Sequence, residues 1–251
     1  MTAAAIVGAE YAGVDLRLLA AATVIVFVGS ATQASIGVGL GLMAAPTLSL
    51  MDEAFIPGAI VLVNLPLTIG IASRERDAVD WTIMRAIPAR AIGALVGIWL
   101  IIEGGQRAIA IVIGCAVLLA VVSSLTGLHV RPTPRNQLIA GGAAGLSGTV
   151  AGMGGPPMAI AYQHSDPAVL RASIAAFNMV SVVLLSIPML VLAGVIGWRE
   201  VQLAAVLILG VFAGLWVGKH FITRLRPERV RLLVLAVCAA SALILLTRQL
   251  T

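Results

Sequence analysis

The chain has 251 residues, of which 60% are hydrophobic and 11% are charged, and its formal net charge is +5. A water-soluble domain carries about 25% charged residues, so this composition excludes an ordinary soluble protein and predicts a chain surrounded by lipid. Only 4% of the residues are aromatic, and the basic residues lie in short loops beside apolar segments. That distribution is typical of membrane orientation and argues against a nucleic-acid partner.

Ten apolar segments follow one another along the chain. They cover approximately residues 16–33, 35–51, 55–73, 82–102, 108–127, 138–151, 156–163, 172–195, 202–222 and 231–247. Backbone groups in lipid must bond within their own segment, and a span needs about 20 residues. The segments therefore predict an all-α, polytopic transmembrane helical bundle.

Two of the breaks between segments, at residues 35–41 and 148–157, contain glycine instead of charge. Glycine and proline interrupt a helix without giving it a reason to leave the membrane. Non-helical backbone is tolerated at membrane depth where it lines a cavity. We therefore predict a Gly-broken helical hairpin at each place.

The two halves of the chain share a pattern at a nearly constant offset of 114 to 117 residues, which indicates an internal repeat. The matching pairs are Gly37 and Gly152, Gly39 and Gly154, Asn64 and Asn178, Trp81 and Trp198, Gly93 and Gly210, and Gly97 and Gly214. We predict a first transmembrane repeat over residues 1–127, a cytoplasmic linker over 128–137 and a second transmembrane repeat over 138–251.

The distribution of basic residues predicts the topology. If each Gly-broken region forms a hairpin, either as two short crossings or as a re-entrant pair, eleven basic residues face one side: Arg74, Arg76, Arg85, Arg131, Arg135, Arg171, Lys219, Arg224, Arg226, Arg229 and Arg231. Four face the other side: Arg17, Arg107, Arg199 and Arg248. A single crossing at each break would divide them almost evenly. The hairpin arrangement is preferred; it places both termini in the periplasm and makes the repeats inverted, each hairpin being followed by three transmembrane helices.

Both glycine-rich breaks carry a family resemblance. Gly37-Val38-Gly39-Leu40-Gly41 followed by Ala45-Pro46 is similar to the first signature of the TauE/SafE family, the sulfite exporter or toluene-sulfonate uptake permease proteins. Gly148-x-x-x-Gly152-Met153-Gly154-Gly155-Pro156-Pro157 resembles the second signature. The resemblance covers nearly the whole chain. It implies an inner-membrane permease for sulfite, organosulfonates or related sulfur anions, in a family that contains both exporters and importers.

An oxyanion in hydrocarbon needs hydrogen-bond donors to replace water, and helix N-termini supply free N–H groups without a full charge. Helices that begin near Leu40 and Pro156 would meet as two inverted N-termini and form an anion cradle. The candidate substrate-binding residues are Gln33, Ser35, Gly37, Gly39, Asn64, Arg90, Thr149, Gly152, Gly154, Gly155 and Asn178.

Arg90, the two asparagines and the glycines also have a purely structural interpretation. Arg90 lies well inside a span, where charge is a functional candidate; it either balances the substrate charge, reaches the interface or pairs with a helix C-terminus. Asn64 and Asn178 either contact substrate or bond neighbouring helices. Glycines allow close helix packing, which is the favoured interpretation for the pairs Gly93/Gly97 and Gly210/Gly214.

These features favour a secondary transporter that exports an anion by alternating access, driven largely by a membrane potential that is negative inside. Uptake of the same anions, an anion channel and a structural membrane subunit remain alternatives. The spans contain no histidine cluster, no nucleophile with a base and no paired carboxylates, so we predict no enzyme activity, no metal and no cofactor. The expected partners are the small anion and the lipid bilayer, with a homo-oligomer as a further possibility.

Overall fold

The computed structural model describes residues 10–126, 130–220 and 227–248, with the side chains of residues 220 and 227–234 left out of the description. Several positions of the topology prediction lie outside these residues. They are both chain termini, part of the linker, the end of segment 202–222, Arg224 and Arg226, and the side chains of Arg229 and Arg231.

Helices make up nearly all of the described chain. They are α1 (Leu16–Ile36), α2 (Leu40–Met51), α3 (Gly58–Arg74), α4 (Ile87–Thr126), α5 (Pro134–Ala151), α6 (Gly155–Tyr162), α7 (Pro167–Ser181), α8 (Ile187–Leu192), α9 (Trp198–His220) and α10 (Pro227–Thr247). Short 3₁₀ turns occupy Glu53–Phe55, Arg76–Ala78 and Trp81–Ala86, and a π-helical turn, Val182–Ser186, joins α7 to α8. The two-residue strands β1 (Glu10–Tyr11) and β2 (Val14–Asp15) pair antiparallel just before α1.

Four stretches are long and apolar enough to cross a membrane: Leu16–Ile36, Trp81–Thr126, Pro167–Leu192 and Trp198–Lys219. Large apolar side chains also lie on the outer surface, where water would be unfavourable. Trp99, Leu119, Leu192, Leu209 and Trp216 are 60 to 88% exposed. These side chains need lipid around them, and the prediction of an all-α membrane protein is confirmed.

Polar caps and prolines set where several helices begin. The Oδ1 of Asp15 accepts a hydrogen bond from the Arg17 N–H at 2.6 Å, and Asp166 caps α7 in the same way. Thr133 precedes Pro134 and accepts from the Asn136 N–H at 3.3 Å. Because a capped first turn needs no apolar residues, α5 and α7 begin four or five residues before the apolar segments predicted at 138 and 172.

Helix α4 is broken at Gly105, which has φ 54° and ψ −152°, a conformation that is essentially restricted to glycine. A straight helix of 40 residues would be about 60 Å long, twice the hydrocarbon thickness of about 30 Å. The break therefore divides α4 into the two segments predicted from sequence, 82–102 and 108–127.

The packing of the long helices crosses between the halves of the chain. The first part of α4 lies against α5, where a Cβ added at Gly93 would overlap the Gly142 carbonyl oxygen. Helix α9 lies against α1 in the same manner, since a Cβ at Gly210 would come within 2.6 Å of the Thr23 carbonyl oxygen. The prediction that these glycines serve close helix packing is confirmed.

Candidate functional site

The two glycine-rich interruptions lie side by side. Helix α1 ends at Ile36 and α2 starts at Leu40, while α5 ends at Ala151 and α6 starts at Gly155. A Cβ at Gly41 would lie 3.0 Å from the Met153 Cα and 3.1 Å from the Gly152 carbonyl oxygen. Backbone segments more than 100 positions apart in the sequence thus share one buried region between the helices.

The first interruption, residues 37–39, is hydrogen-bonded to the helices on both sides. Gly37 adopts a left-handed conformation (φ 89°) and its N–H donates to the Gln33 carbonyl oxygen. The Gln33 side chain then turns toward α2, and its Oε1 accepts from the Leu40 N–H at 3.0 Å. Gln33 therefore caps the N-terminus of α2, whereas the sequence predicted that Gln33 and this N-terminus contact the substrate.

Two arginines complete the end of α1. Arg74 donates to the Ala34 carbonyl oxygen at 2.9 Å, and Arg171 donates to the Ser35 carbonyl oxygen at 3.3 Å. Glu75 pairs with both guanidinium groups, at 2.7 and 3.1 Å. The carbonyl groups that a helix C-terminus leaves free are thereby bound by cations, which the helix dipole favours.

The second interruption, residues 152–154, has different surroundings. Gly152 is left-handed (φ 67°), and the Met153 N–H and carbonyl oxygen bond the backbone and side chain of Ser147. Asn64 of α3 donates from Nδ2 to the Gly152 carbonyl oxygen at 3.0 Å. Asn64 thus links the first half of the chain directly to the interruption in the second half.

Arg90 lies at this second interruption and is only 1% exposed. Its Nη1 donates to the Ala144 carbonyl oxygen at 2.6 Å, its Nη2 lies 3.5 Å from the Ser186 Oγ, and its guanidinium carbon is 5.2 Å from the centre of the Phe177 ring. The Nε has no hydrogen-bond partner. The ion pairs found in the described part of the chain involve other arginines, so the charge of Arg90 has no carboxylate partner there.

Glycines make room for this guanidinium. A Cβ at Gly154 would lie 2.6 Å from the Arg90 Nη1 and 2.5 Å from the Asn178 Oδ1, and a Cβ at Gly148 would lie 2.8 Å from the Arg90 Nη2. The second interruption thus brings together the guanidinium of Arg90, the side-chain amide of Asn178 and glycine backbone.

Several buried polar atoms close to this region have no hydrogen-bond partner among the described residues. They are the Oδ1 atoms of Asn64 and Asn178, the Oγ1 of Thr149 and the Nε of Arg90. An unpaired buried polar atom costs about 1–3 kcal/mol, and such atoms are rare in folded proteins. These atoms make the region around the second interruption a candidate binding site, although the Ser30 Oγ on α1 and the Gln137 Oε1 at the start of α5 are unpaired among the described residues in the same way.

The predicted site residues therefore separate into groups. Asn64, Arg90, Gly152, Gly154 and Asn178 come together, and Gly155 starts α6 beside Asn178. Gln33, Gly37 and Gly39 form the adjoining first interruption. The Ser35 hydroxyl lies 2.8 Å from the Ala31 carbonyl oxygen in its own helix and 3.2 Å from the Gly218 carbonyl oxygen of α9, so its one proton is shared between them. The Thr149 side chain lies next to Gly97 of α4.

Sequence reasoning missed Ser186 and Phe177, which contact Arg90. Ser186 lies in the π-helical turn Val182–Ser186, and such turns are frequent at functional sites because the extra residue redirects side chains. The one available signal was Pro188, which disturbs the helix just after Ser186. Phe177 precedes Asn178 in an apolar run, where nothing in the sequence distinguishes it from a packing residue.

A second polar cluster lies away from the interruptions, before the first turn of α4. The Tyr162 hydroxyl donates to the Asp80 Oδ2 at 2.9 Å, and Gln137 donates to the Tyr162 oxygen at 2.8 Å. Burial raises the pKa of Asp80, but the hydrogen bonds from Thr82 and Tyr162, with the nearby charge of Arg85, outweigh it and hold the pKa below its usual value. Asp80 is thus ionised, and its hydrogen bond with Tyr162 connects the two halves of the chain.

The fold and site define a polytopic helical membrane protein with two adjoining interrupted helices and an embedded arginine. The family model described as "Sulfite exporter TauE/SafE" matches residues 21–245, so the chain belongs to the TauE/SafE family, a family of transporters for sulfite- and sulfonate-type anions. The family resemblance identified from the two glycine signatures is confirmed. No curated protein and no solved structure matches the chain in the corresponding searches.

Proposed function

We propose that the protein is a secondary transporter that exports a small sulfur-containing anion, sulfite or an organosulfonate, across the bacterial inner membrane by alternating access. The observation that carries this proposal is the buried Arg90, which has no carboxylate partner among the described residues and lies beside two adjoining helix interruptions. A lone buried charge is costly, and a bound anion would remove that cost. The substrate therefore completes the site electrostatically.

The proposal includes two inverted repeats, and helix directions support it. Arg74 at the end of α3 bonds the Ala34 carbonyl oxygen near the end of α1, so both helices end on one side. On that same side α7 begins, because Arg171 bonds the Ser35 carbonyl oxygen. Helix α5 begins there too, because Gln137 donates to the Tyr162 oxygen, and the Tyr162 hydroxyl donates to Asp80, six residues after the end of α3. The hairpin helices of the second half thus run opposite to those of the first.

The side with the ends of α1 and α3 also carries Arg74, Arg76, Arg85 and Arg171, and we assign it to the cytoplasm by the positive-inside rule. Both termini then lie in the periplasm and the linker over 128–137 is cytoplasmic. An alkaline phosphatase fused after Thr251 should be active, and a cytoplasmic reporter at the same place should not. Activity of the cytoplasmic reporter alone would reject this orientation.

Export is favoured because the membrane potential drives anions outward by about 2.3 kcal/mol per charge per 100 mV. The test is sulfite flux in proteoliposomes with a potassium diffusion potential or with a pH gradient. Flux should follow the imposed voltage and saturate with sulfite. Flux that ignores voltage and follows the pH gradient would reject potential-driven export, and currents that do not saturate would favour a channel.

The role of Arg90 has a matched control in the same experiment. Arg90→Gln should reduce sulfite flux by about 10- to 100-fold, since a charge-assisted hydrogen bond contributes about 1.5–3 kcal/mol. Arg85→Gln, at an exposed arginine just before α4, should change flux less than about twofold by comparison. Equal flux in both variants would remove Arg90 from the site.

A further inference from the structure

The first two turns of α7 lie against glycine backbone in both halves of the chain. At the first interruption, a Cβ added at Gly37 would lie 2.5 Å from the Leu170 Cδ2 and 3.3 Å from the Arg171 Cα. At the start of α6, beside the second interruption, a Cβ added at Gly155 would lie 3.7 Å from the Ile174 Cγ2. The start of α7 therefore covers both interruptions on the side where α1 and α3 end.

The same helix carries part of the candidate site. Phe177 lies against the Arg90 guanidinium, and the Asn178 Oδ1 lies close to Gly154. The stretch of α7 from Arg171 to Asn178 is about 10 Å long at 1.5 Å per residue. A displacement of the start of α7 would therefore also change the surroundings of the Arg90 guanidinium.

One carboxylate binds the start of α7 to the first half of the chain. The Glu75 Oε1 accepts from the Arg74 Nη2 at 2.7 Å and from the Arg171 Nε at 3.2 Å. The three side chains are only 16 to 26% exposed. Because two arginines share one glutamate, removal of the Glu75 charge would leave two like charges close together, where water screens them incompletely.

Helix α7 is held on two sides. Arg171 binds Glu75 just after α3 and, at 3.3 Å, the Ser35 carbonyl oxygen of α1. On the other side, the Ser173 Oγ accepts from the Asp80 N–H at 2.8 Å, in the segment that leads to α4. Separation of α7 from α1 and α3 therefore requires the Glu75–Arg171 pair to break, whereas the bond between Asp80 and Ser173 can remain.

We infer that the start of α7 is a gate between the cytoplasm and the buried site, and that the Glu75–Arg171 pair holds this gate closed. The inference rests on the proposed transport function and on the cytoplasmic assignment of the side where α1 and α3 end. Alternating access requires contacts on each side of the site that break and re-form in turn. An ion pair near the aqueous surface suits this role, because both partners regain water when they separate. Glu75 thus acts by positioning α7, without contact with the substrate.

Access to position 155 tests the gate, because α7 lies next to it. Gly155→Cys places a thiol there without overlap, since the nearest atoms to the added Cβ would be 3.6 and 3.7 Å away, and Cys115 and Cys238 are replaced by alanine. A membrane-impermeant methanethiosulfonate reagent is added to inside-out vesicles or to spheroplasts, and mass spectrometry follows the labelling rate. Glu75→Gln should accelerate labelling from the cytoplasmic side at least about tenfold, with no increase from the periplasmic side.

Asp77→Asn is the matched control. It removes the same charge two residues later, from a pair with Arg76 in which the side chains are 81 and 97% exposed, and the labelling rate should stay within about twofold of the parent. The double variant Glu75→Arg/Arg171→Glu restores an opposite pair and should restore slow labelling, which a merely structural role of Glu75 would not predict.

An unchanged labelling rate in the Glu75→Gln protein would overturn the inference. Faster labelling from the periplasmic side or from both sides would overturn it too, because it would indicate general loosening of the fold. If the Glu75→Gln protein does not fold, Arg171→Gln breaks the same pair and has the same expected result. The assay measures access and not flux, so its failure leaves the sulfite flux assay as a separate test of the proposed function.

Discussion

The first and second interruptions share a glycine pattern but differ in how their polar groups are satisfied. At the first, Gln33 caps α2 and two arginines bind the end of α1. At the second, Arg90 and Asn178 lie against glycine backbone, and the Arg90 Nε and Asn178 Oδ1 have no hydrogen-bond partner in the described part of the chain. Similar sequence signatures thus lie in different surroundings, because the neighbouring side chains differ.

Alanine substitution of one glycine from each interruption should have the largest effects. The substitution at the first interruption should mainly lower stability, and the one at the second should mainly lower transport. Gly39→Ala would place a Cβ 2.6 Å from the Gln33 backbone nitrogen and the Gly29 carbonyl oxygen, and backbone cannot yield easily. We expect a loss of about 3 kcal/mol of unfolding free energy. Gly154→Ala meets only side-chain ends and should cost less than about 1 kcal/mol, yet reduce sulfite flux at least about tenfold by displacing Arg90.

Denaturation in mixed micelles and flux in liposomes check this pair. Gly155→Ala is the control for stability, since its nearest neighbours would be in ordinary contact at 3.6 and 3.7 Å. Normal transport by the Gly154→Ala protein would leave that glycine as a packing residue.

Substitutions of the two asparagines, Asn64 and Asn178, should also separate stability from sulfite binding, but with smaller effects than the two glycine substitutions. Asn64→Leu leaves the Gly152 carbonyl oxygen without its donor and should lower the free energy of unfolding by about 1–3 kcal/mol. Asn178→Leu removes an Oδ1 that has no partner among the described residues, so stability should change by less than about 1 kcal/mol while sulfite affinity falls. The opposite order of stabilities would contradict the assignment of Asn64 as the structural link.

The cap at the first interruption predicts a smaller effect. Gln33→Met keeps the side-chain length but removes the acceptor for the Leu40 N–H, and we expect a loss of about 1 kcal/mol in a denaturant titration. Ser35→Ala, which removes a hydroxyl bonded to the helix backbone, should be within about 0.5 kcal/mol of the wild type. A Gln33→Met protein as stable as the wild type but unable to bind sulfite would show that Gln33 contacts the substrate.

The smallest effect concerns pH and the cluster around Asp80. Since the folded protein holds the pKa of Asp80 below its usual value, ionised Asp80 stabilises the protein above the unfolded pKa of about 4. That contribution is lost as the pH falls through the lower folded pKa. The stability difference between wild type and Asp80→Asn should therefore shrink on acidification, and denaturant titrations of both proteins at several pH values measure it.

The sequence predicted both interruptions because glycine and proline clusters without charge have a direct backbone meaning, and it predicted the embedded Arg90 because charge is rare in a span. It did not predict that Gln33 would turn onto α2, since a glutamine beside a break donates and accepts equally well. Ser186 was missed because its position depends on the π-helical turn, whose register the apolar run Val182–Leu185 does not encode. Contacts between residues far apart, such as Arg90 with the Ala144 carbonyl oxygen, follow from tertiary packing alone.

The crossed packing of α4 on α5 and of α9 on α1 bears on biosynthesis. Residues 1–126 leave the ribosome with the glycine face of α4 lacking the surface that α5 will provide. Until the second half has been translated, the glycine face of α4 is therefore in contact with lipid or with an insertion factor. Each half expressed alone should therefore be degraded, whereas the two halves expressed together should both accumulate. Each half supplies the packing surface that the other lacks.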